Sequence, residues 1–119
     1  MKKNYDLIVV GTGPTGIFTV LELIEKEEEL DILMLEKGEN LDNRVCPMKV
    51  NPGNECSNCN SCAIVSGWGG AGAFSDGKLS LTPEIGGNLN EYIGWDRLKE
   101  NIQYADELYL KFGAPDRIF

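Results

Sequence analysis

The sequence contains no histidine. Histidine is the side chain whose ordinary pKa lies nearest neutrality. Its absence removes every mechanism that needs an imidazole base within the chain, and every histidine-containing metal site. Positive charge is also scarce, with 11 lysines and arginines against 19 aspartates and glutamates and a net charge of −8. An acidic surface repels nucleic-acid phosphates and anionic lipid, so neither nucleic acid nor membrane is expected as a partner. No apolar run approaches the roughly 20 residues of a membrane span. The start, Met1-Lys2-Lys3, loosely imitates a signal peptide, but Asn4 and Asp6, then Gly11, Gly13 and Pro14, interrupt the apolar run that would have to follow. The expected location is cytoplasmic, where the four cysteines would be reduced thiols or metal ligands rather than structural disulfides. No internal repeat or low-complexity tract is present.

Glycine, by contrast, is abundant. The chain has 14 glycines in 119 residues, against roughly 8 at average usage, and they cluster. The length sets an expectation of one domain with one modest core over 1–119. Tyr5-Asp6-Leu7-Ile8-Val9-Val10 is a β-branched apolar run without alternation, which predicts a strand buried on both faces, as in a parallel sheet. Gly11-Thr12-Gly13-Pro14-Thr15-Gly16 follows directly. Ile17, Val20, Leu21 and Ile24 then repeat at helical spacing, and Asp31-Ile32-Leu33-Met34-Leu35-Glu36 reads as a second strand. Residues 5–36 thus predict a βαβ unit with a right-handed crossover. Periodicity fades over 38–93, a Gly- and Cys-rich stretch whose length suggests function, a metal staple or wrapping around a ligand. It returns in Trp95, Leu98, Ile102, Ala105, Leu108 and Phe112, an amphipathic helix over 95–112 that Gly113 caps and Pro115 ends.

A glycine triplet alone is weak evidence. Here Gly11, Gly13 and Gly16 open a helix directly after a strand, and Glu36 ends the second strand 20 residues beyond Gly16. That context is the dinucleotide-binding pattern of a Rossmann-like α/β fold. Gly11 permits the tight turn, Gly13 lets backbone approach a pyrophosphate, and Gly16 lets helix and strand pack closely. Pro14 and Thr15 lie inside the same cofactor-binding turn. Amide groups at the helix start and the positive end of its dipole would hold the anion. The Glu36 carboxylate suits a ribose diol and disfavours the 2′-phosphate of NADP. The competing reading is a glycine-rich connection of an unrelated α/β domain.

The turn does not separate FAD from NAD, but the continuation does. A simple NAD domain proceeds to further βα units, whereas this chain enters Gly67-Trp68-Gly69-Gly70-Ala71-Gly72-Ala73-Phe74-Ser75-Asp76-Gly77-Lys78. Small residues at that density let a backbone lie against a flat, elongated ligand. A flexible linker fits less well with Trp68 and Phe74 inside it. Asp76 and Lys78 are suited equally to touching a flavin and to capping a turn.

Three segments, YDLIVVGTGPTGIFTVLEL, RVCP with CSNCNSC, and GWGGAGAFSDGKLSL, together with LYLKFGAP near the end, resemble the uncharacterised FAD-dependent dehydrogenases of the glutathione-reductase-like flavoprotein superfamily. The resemblance covers nearly the whole chain. It implies FAD, with Gly11, Gly13 and Gly16 at the pyrophosphate and Glu36 on the adenosine ribose. It also implies Lys37 and Arg44 near the adenine, and Gly69, Gly70, Gly72 and Ser75 beside the pyrophosphate or the flavin. Members of that group are several times longer. The chain is therefore expected to be the N-terminal part of an oxidoreductase that acts on a small redox substrate, with the remainder of the enzyme as its partner. Strand one should lie mid-sheet, in the order 3-2-1-4, yet no later strand is legible, so the sheet should be incomplete and the isolated chain marginally stable.

Cys46, Cys56, Cys59 and Cys62 form C-x9-C-x2-C-x2-C. Four thiolates so spaced can wrap one metal centre. The tight triple is more typical of an iron–sulfur cluster than of zinc, where paired C-x2-C knuckles dominate. A redox dithiol at Cys59 and Cys62, or four inert buried thiols, are the alternatives. No residue stands out as a catalytic acid or base. The rival to an enzyme is a truncated, non-catalytic dinucleotide- or metal-binding module that needs a partner chain.

Overall fold

The computed structural model describes residues 4–26, 29–51, 53 and 55–116. The chain is a mixed α/β protein with a two-stranded parallel sheet and four helices among the described residues. In chain order these are β1 (Leu7–Val10), α1 (Pro14–Lys26), β2 (Ile32–Leu35), α2 (Pro47–Val50), α3 (Asn90–Ile93) and α4 (Trp95–Lys111), with 3₁₀ turns at Leu41–Asn43 and Gly70–Phe74. It divides into two compact units, Met1–Gly77 and Lys78–Phe119.

In the first unit β1 and β2 pair in parallel, with Leu7 opposite Ile32 and Val10 opposite Leu35. Two bonds clamp the entrance to the sheet, since the Asp6 amide donates to the Asp31 carbonyl and the Asp31 amide to the Asp6 carboxylate. The amide of Gly11 donates to the Leu35 carbonyl at 2.7 Å and carries the ladder one step past β1. Helix α1 starts with Pro14, whose missing N–H is one of the donors a helix start leaves over anyway. The βαβ unit expected over 5–36 is thus present.

One expectation about it needs correction. β1 alternates, with Leu7 and Val9 half-buried while Ile8 is 54% and Val10 81% exposed. Leu35, the register partner of Val10, is also exposed. Gly16 of α1 approaches the Val9 side chain, so α1 covers the Leu7–Val9 face. Burial on both faces needs a layer of helices on each side of a sheet, and the described residues provide the α1 layer alone. Likewise, β1 has no strand neighbour other than β2 among them.

The second unit holds α3 packed on α4. Gly94, at φ +79°, turns the chain between them. The α4 end follows the expected cap. Gly113 takes φ +95°, its amide donates to Leu110, and the Ala114 amide donates to Tyr109, the paired bonds of a Schellman motif. Of the apolar stripe, Leu98 and Leu108 are buried, each contributing on the order of 1.5–3 kcal/mol. Trp95 and Phe112, at its two ends, are exposed. No described helix is long and apolar enough to cross a membrane.

Candidate functional site

The glycine turn, the end of β2 and the glycine-rich segment meet at one carboxylate. Glu36 Oε2 accepts from the Thr12 amide at 2.8 Å and the Thr12 hydroxyl at 2.9 Å. Its Oε1 accepts from the amides of Gly38 at 3.0 Å and Gly67 at 2.9 Å. These bonds, first those from the Thr12 and Gly38 amides, hold the Glu36 pKa down at about 2. Four bonds match the acceptor capacity of an ionised carboxylate, so a ribose hydroxyl at Glu36 would share an oxygen that already accepts two donors. Thr12 is fully buried, and its carbonyl accepts from the Gly69 amide at 2.9 Å. It therefore ties the turn to two later segments.

Close backbone approach explains two glycines here. A Cβ on Gly38 would meet the Gly67 amide nitrogen at 2.5 Å, and one on Gly67 would meet the Glu39 carbonyl at 2.5 Å and Arg44 Cδ at 2.6 Å. The segment at 67–70 then lies against the turn itself. A Cβ on Gly70 would stand 3.0 Å from Gly13 Cα and 3.6 Å from Pro14 Cδ, and one on Gly72 3.9 Å from Pro14 Cγ. The expected cofactor residues Gly69, Gly70 and Gly72 are thus brought to the glycine turn, Gly69 at Thr12 and the other two at Gly13 and Pro14. Ser75 closes its own turn, its hydroxyl accepting from the Gly77 amide at 3.1 Å. Lys37 is exposed beside Glu36.

The glycines of the turn itself differ. Gly16 has no room for a side chain, because a Cβ would run into the Gly11 carbonyl oxygen. Gly13 has no protein atom within 4 Å of where its Cβ would be, and its φ lies outside the left-handed region. Neither packing nor backbone conformation requires glycine at position 13.

Arg44 turns inward. It is buried at 4% exposure, and its guanidinium donates to four backbone carbonyls. Nε reaches Ala63 at 2.9 Å, Nη1 reaches Trp68 at 2.7 Å and Gly70 at 2.8 Å, and Nη2 reaches Ile64 at 2.9 Å. It also lies over the Phe74 ring at 4.6 Å, which Lys49 Nζ approaches at 5.0 Å. A fork of fixed donors suits this cluster of carbonyls better than any other side chain would. Arg44 therefore holds the 63–70 backbone in place, a role its position in the sequence did not announce. Thr12 was likewise missed; its only local signal is a hydroxyl inside the turn.

The four cysteines are free thiols, with Cys46 half-buried and Cys56, Cys59 and Cys62 exposed. All four line one cavity of about 240 Å³, with Pro47, Met48 and Asn58 among its other walls. Asn58 adopts a left-handed φ of +47° between Cys56 and Cys59, a conformation asparagine tolerates better than most residues. The backbone amides of Ile64 and Val65 hold the Cys62 thiol below its usual pKa, and the charge of Arg44 adds to their pull. Among the described residues, no three acidic or cysteine side chains form a ready-made ligand set for a single metal ion.

No protein-family model matches the chain, and no solved structure matches it. It is 40% identical over 111 residues to a protein of Clostridium beijerinckii (strain ATCC 51743 / NCIMB 8052) named only "Uncharacterized protein". The match takes in 93% of this chain and 18% of that protein. The chain thus spans less than a fifth of the length of that relative.

Proposed function

We propose that this chain is the FAD-binding part of a flavin-dependent oxidoreductase that works in the cytoplasm on a small redox substrate. The observation that carries the reading is Gly13, a glycine at the mouth of a strand–turn–helix whose Cβ position meets no protein atom. A glycine that neither packing nor φ demands is accounted for by a ligand that must come close to the backbone. The start of α1 adds amide donors and the positive end of a dipole, and its first turn carries no acidic side chain to oppose an anion. Gly69 to Gly72 lie beside that turn, where an extended dinucleotide would run. Glu36 and Arg44 hold the two backbones in place, Glu36 from the β2 end and Arg44 from within the later segment. When bound, the isoalloxazine supplies the redox chemistry, and the protein binds and orients it. The open Ile8–Val10 face favours further polypeptide as a partner, either the rest of a longer chain or a second one.

The test is flavin titration of the chain and of two variants, followed by fluorescence quenching and by thermal melting. Gly13→Ala should keep the melt of the parent within about 0.5 kcal/mol and lose FAD affinity at least tenfold. Gly16→Ala should lower the melt itself, because its methyl group has no space. FAD binding that survives Gly13→Ala unchanged would sink the reading.

A further inference from the structure

We infer that the four-cysteine cavity is the site of a four-iron iron–sulfur cluster, ligated by Cys46, Cys56, Cys59 and Cys62. The inference goes beyond the flavin reading and does not depend on it. Cys46 lies 10 to 16 residues before the other three, yet all four line a single cavity of about 240 Å³. Thiols that merely filled a core would be buried, but three of these four are exposed at the cavity wall.

Size separates the metal centres that four thiolates can hold. Zinc draws its ligands in at Zn–S distances of about 2.3 Å, which puts tetrahedral sulfurs roughly 3.8 Å apart. The four thiols here line one cavity of about 240 Å³. A polynuclear cluster brings its own iron and sulfide to the space that such thiolates share.

Sequence spacing points the same way. Iron–sulfur proteins of the bacterial type use a C-x2-C-x2-C run and a Cys-Pro, and the Cys-Pro beside a run ligates the other cluster, so that each cluster takes three run cysteines and one remote Cys-Pro. This chain has one run, Cys56, Cys59 and Cys62, and one remote Cys-Pro, Cys46-Pro47. That is one complete ligand set. The plant-type two-iron spacing, C-x4-C-x2-C, is absent.

The surroundings suit a centre of negative overall charge. The Arg44 guanidinium, buried, donates to the carbonyls of Ala63 and Ile64, directly after Cys62. Lys49, on the helix that follows Cys46, stands over the same Phe74 ring as Arg44. N–H donors and fixed positive charge beside cluster sulfurs are among the ways a protein sets such a centre's potential.

The test is anaerobic preparation of the chain, reconstitution with ferrous iron and sulfide, and assay of iron, acid-labile sulfide, zinc and flavin on the same sample. The expected result is about four irons and four sulfides per chain, with broad visible absorbance that bleaches on reduction. Cys46→Ala and Cys59→Ala should each lose at least half of the iron. Circular dichroism of the metal-free variants, matching that of the metal-free parent, distinguishes ligand loss from misfolding. One zinc per chain in place of iron, two irons per chain, a metal-free chain, or full iron in both variants would overturn the assignment. Flavin content is scored separately. Iron without flavin supports the cluster and counts against the flavin reading, while flavin without iron does the reverse.

Discussion

The Glu36–Arg44 region and the cysteine cavity lie in the same unit, and their polar groups are satisfied in opposite ways. In the first, one carboxylate takes four donors and one guanidinium serves four carbonyls, all from this chain. In the second, three of four reactive side chains face outward around a cavity. The first region is finished by the polypeptide itself, so substitutions there act on folding. The second is not closed by the polypeptide in this way, so substitutions there should cost little in folding. Gly13, on the rim of the first region, is likewise not enclosed by neighbouring side chains.

The largest break in this comparison should come from Arg44. Arg44→Met keeps an apolar stem over Phe74 but strips donors from four carbonyls. These acceptors are part-buried, so each left unmatched costs toward the lower end of about 1–3 kcal/mol, and a total loss of about 3 kcal/mol is expected. Urea unfolding and hydrogen exchange at 63–70 would register it. Arg44→Lys, with three donors and no planar fork, should fall between the two. A change below about 1 kcal/mol for Arg44→Met would remove the claim that this residue organises the segment.

Next in size is Glu36→Gln. One amide nitrogen would then face donors that Glu36 now satisfies, at a cost of about 1–3 kcal/mol. The pH dependence sharpens the point. The folded pKa of Glu36 lies near 2, below its ordinary 4.5. The unfolded chain therefore takes up this proton first as pH falls. The stabilisation is whole above about pH 4.5 and is lost progressively toward pH 2. Melting temperatures of the parent and the Gln variant should converge across that window. Parallel curves would mean that the charge on Glu36 does not hold the turn.

What the sequence discloses and what it hides follow from the range of the contacts involved. The turn, α1, β2 and the α4 cap are legible because each rests on residues a few positions apart: Gly11 to Gly16, the helical spacing of Ile17 to Ile24, Gly113 ahead of Pro115. Glu36 is legible as a polar group at a strand end, but its bond to Gly67 spans 31 residues and nothing local predicts it. The inward turn of Arg44 is hidden for the same reason, since its acceptors lie 19 to 26 residues on. The one-sided cover of β1 is hidden because an apolar run records what a strand can bury, not how many layers come to bury it. The cysteines differ, because their spacing is legible in the sequence although Cys46 joins the other three around one cavity only in the fold.

The smallest expected effect closes the comparison. Cys59→Ser, made in metal-free protein, replaces one exposed thiol by a hydroxyl of similar size. No packed neighbour is lost, so stability should shift by no more than about 0.5 kcal/mol. The same substitution after reconstitution removes a ligand, and the gap in stability between the loaded parent and the loaded variant should be several-fold larger. Thermal melts of both proteins, with and without the metal, measure all four corners. If Cys59→Ser cost as much in the metal-free chain as Glu36→Gln does, the cysteine loop would be held by the polypeptide after all, and the division between the two regions would collapse.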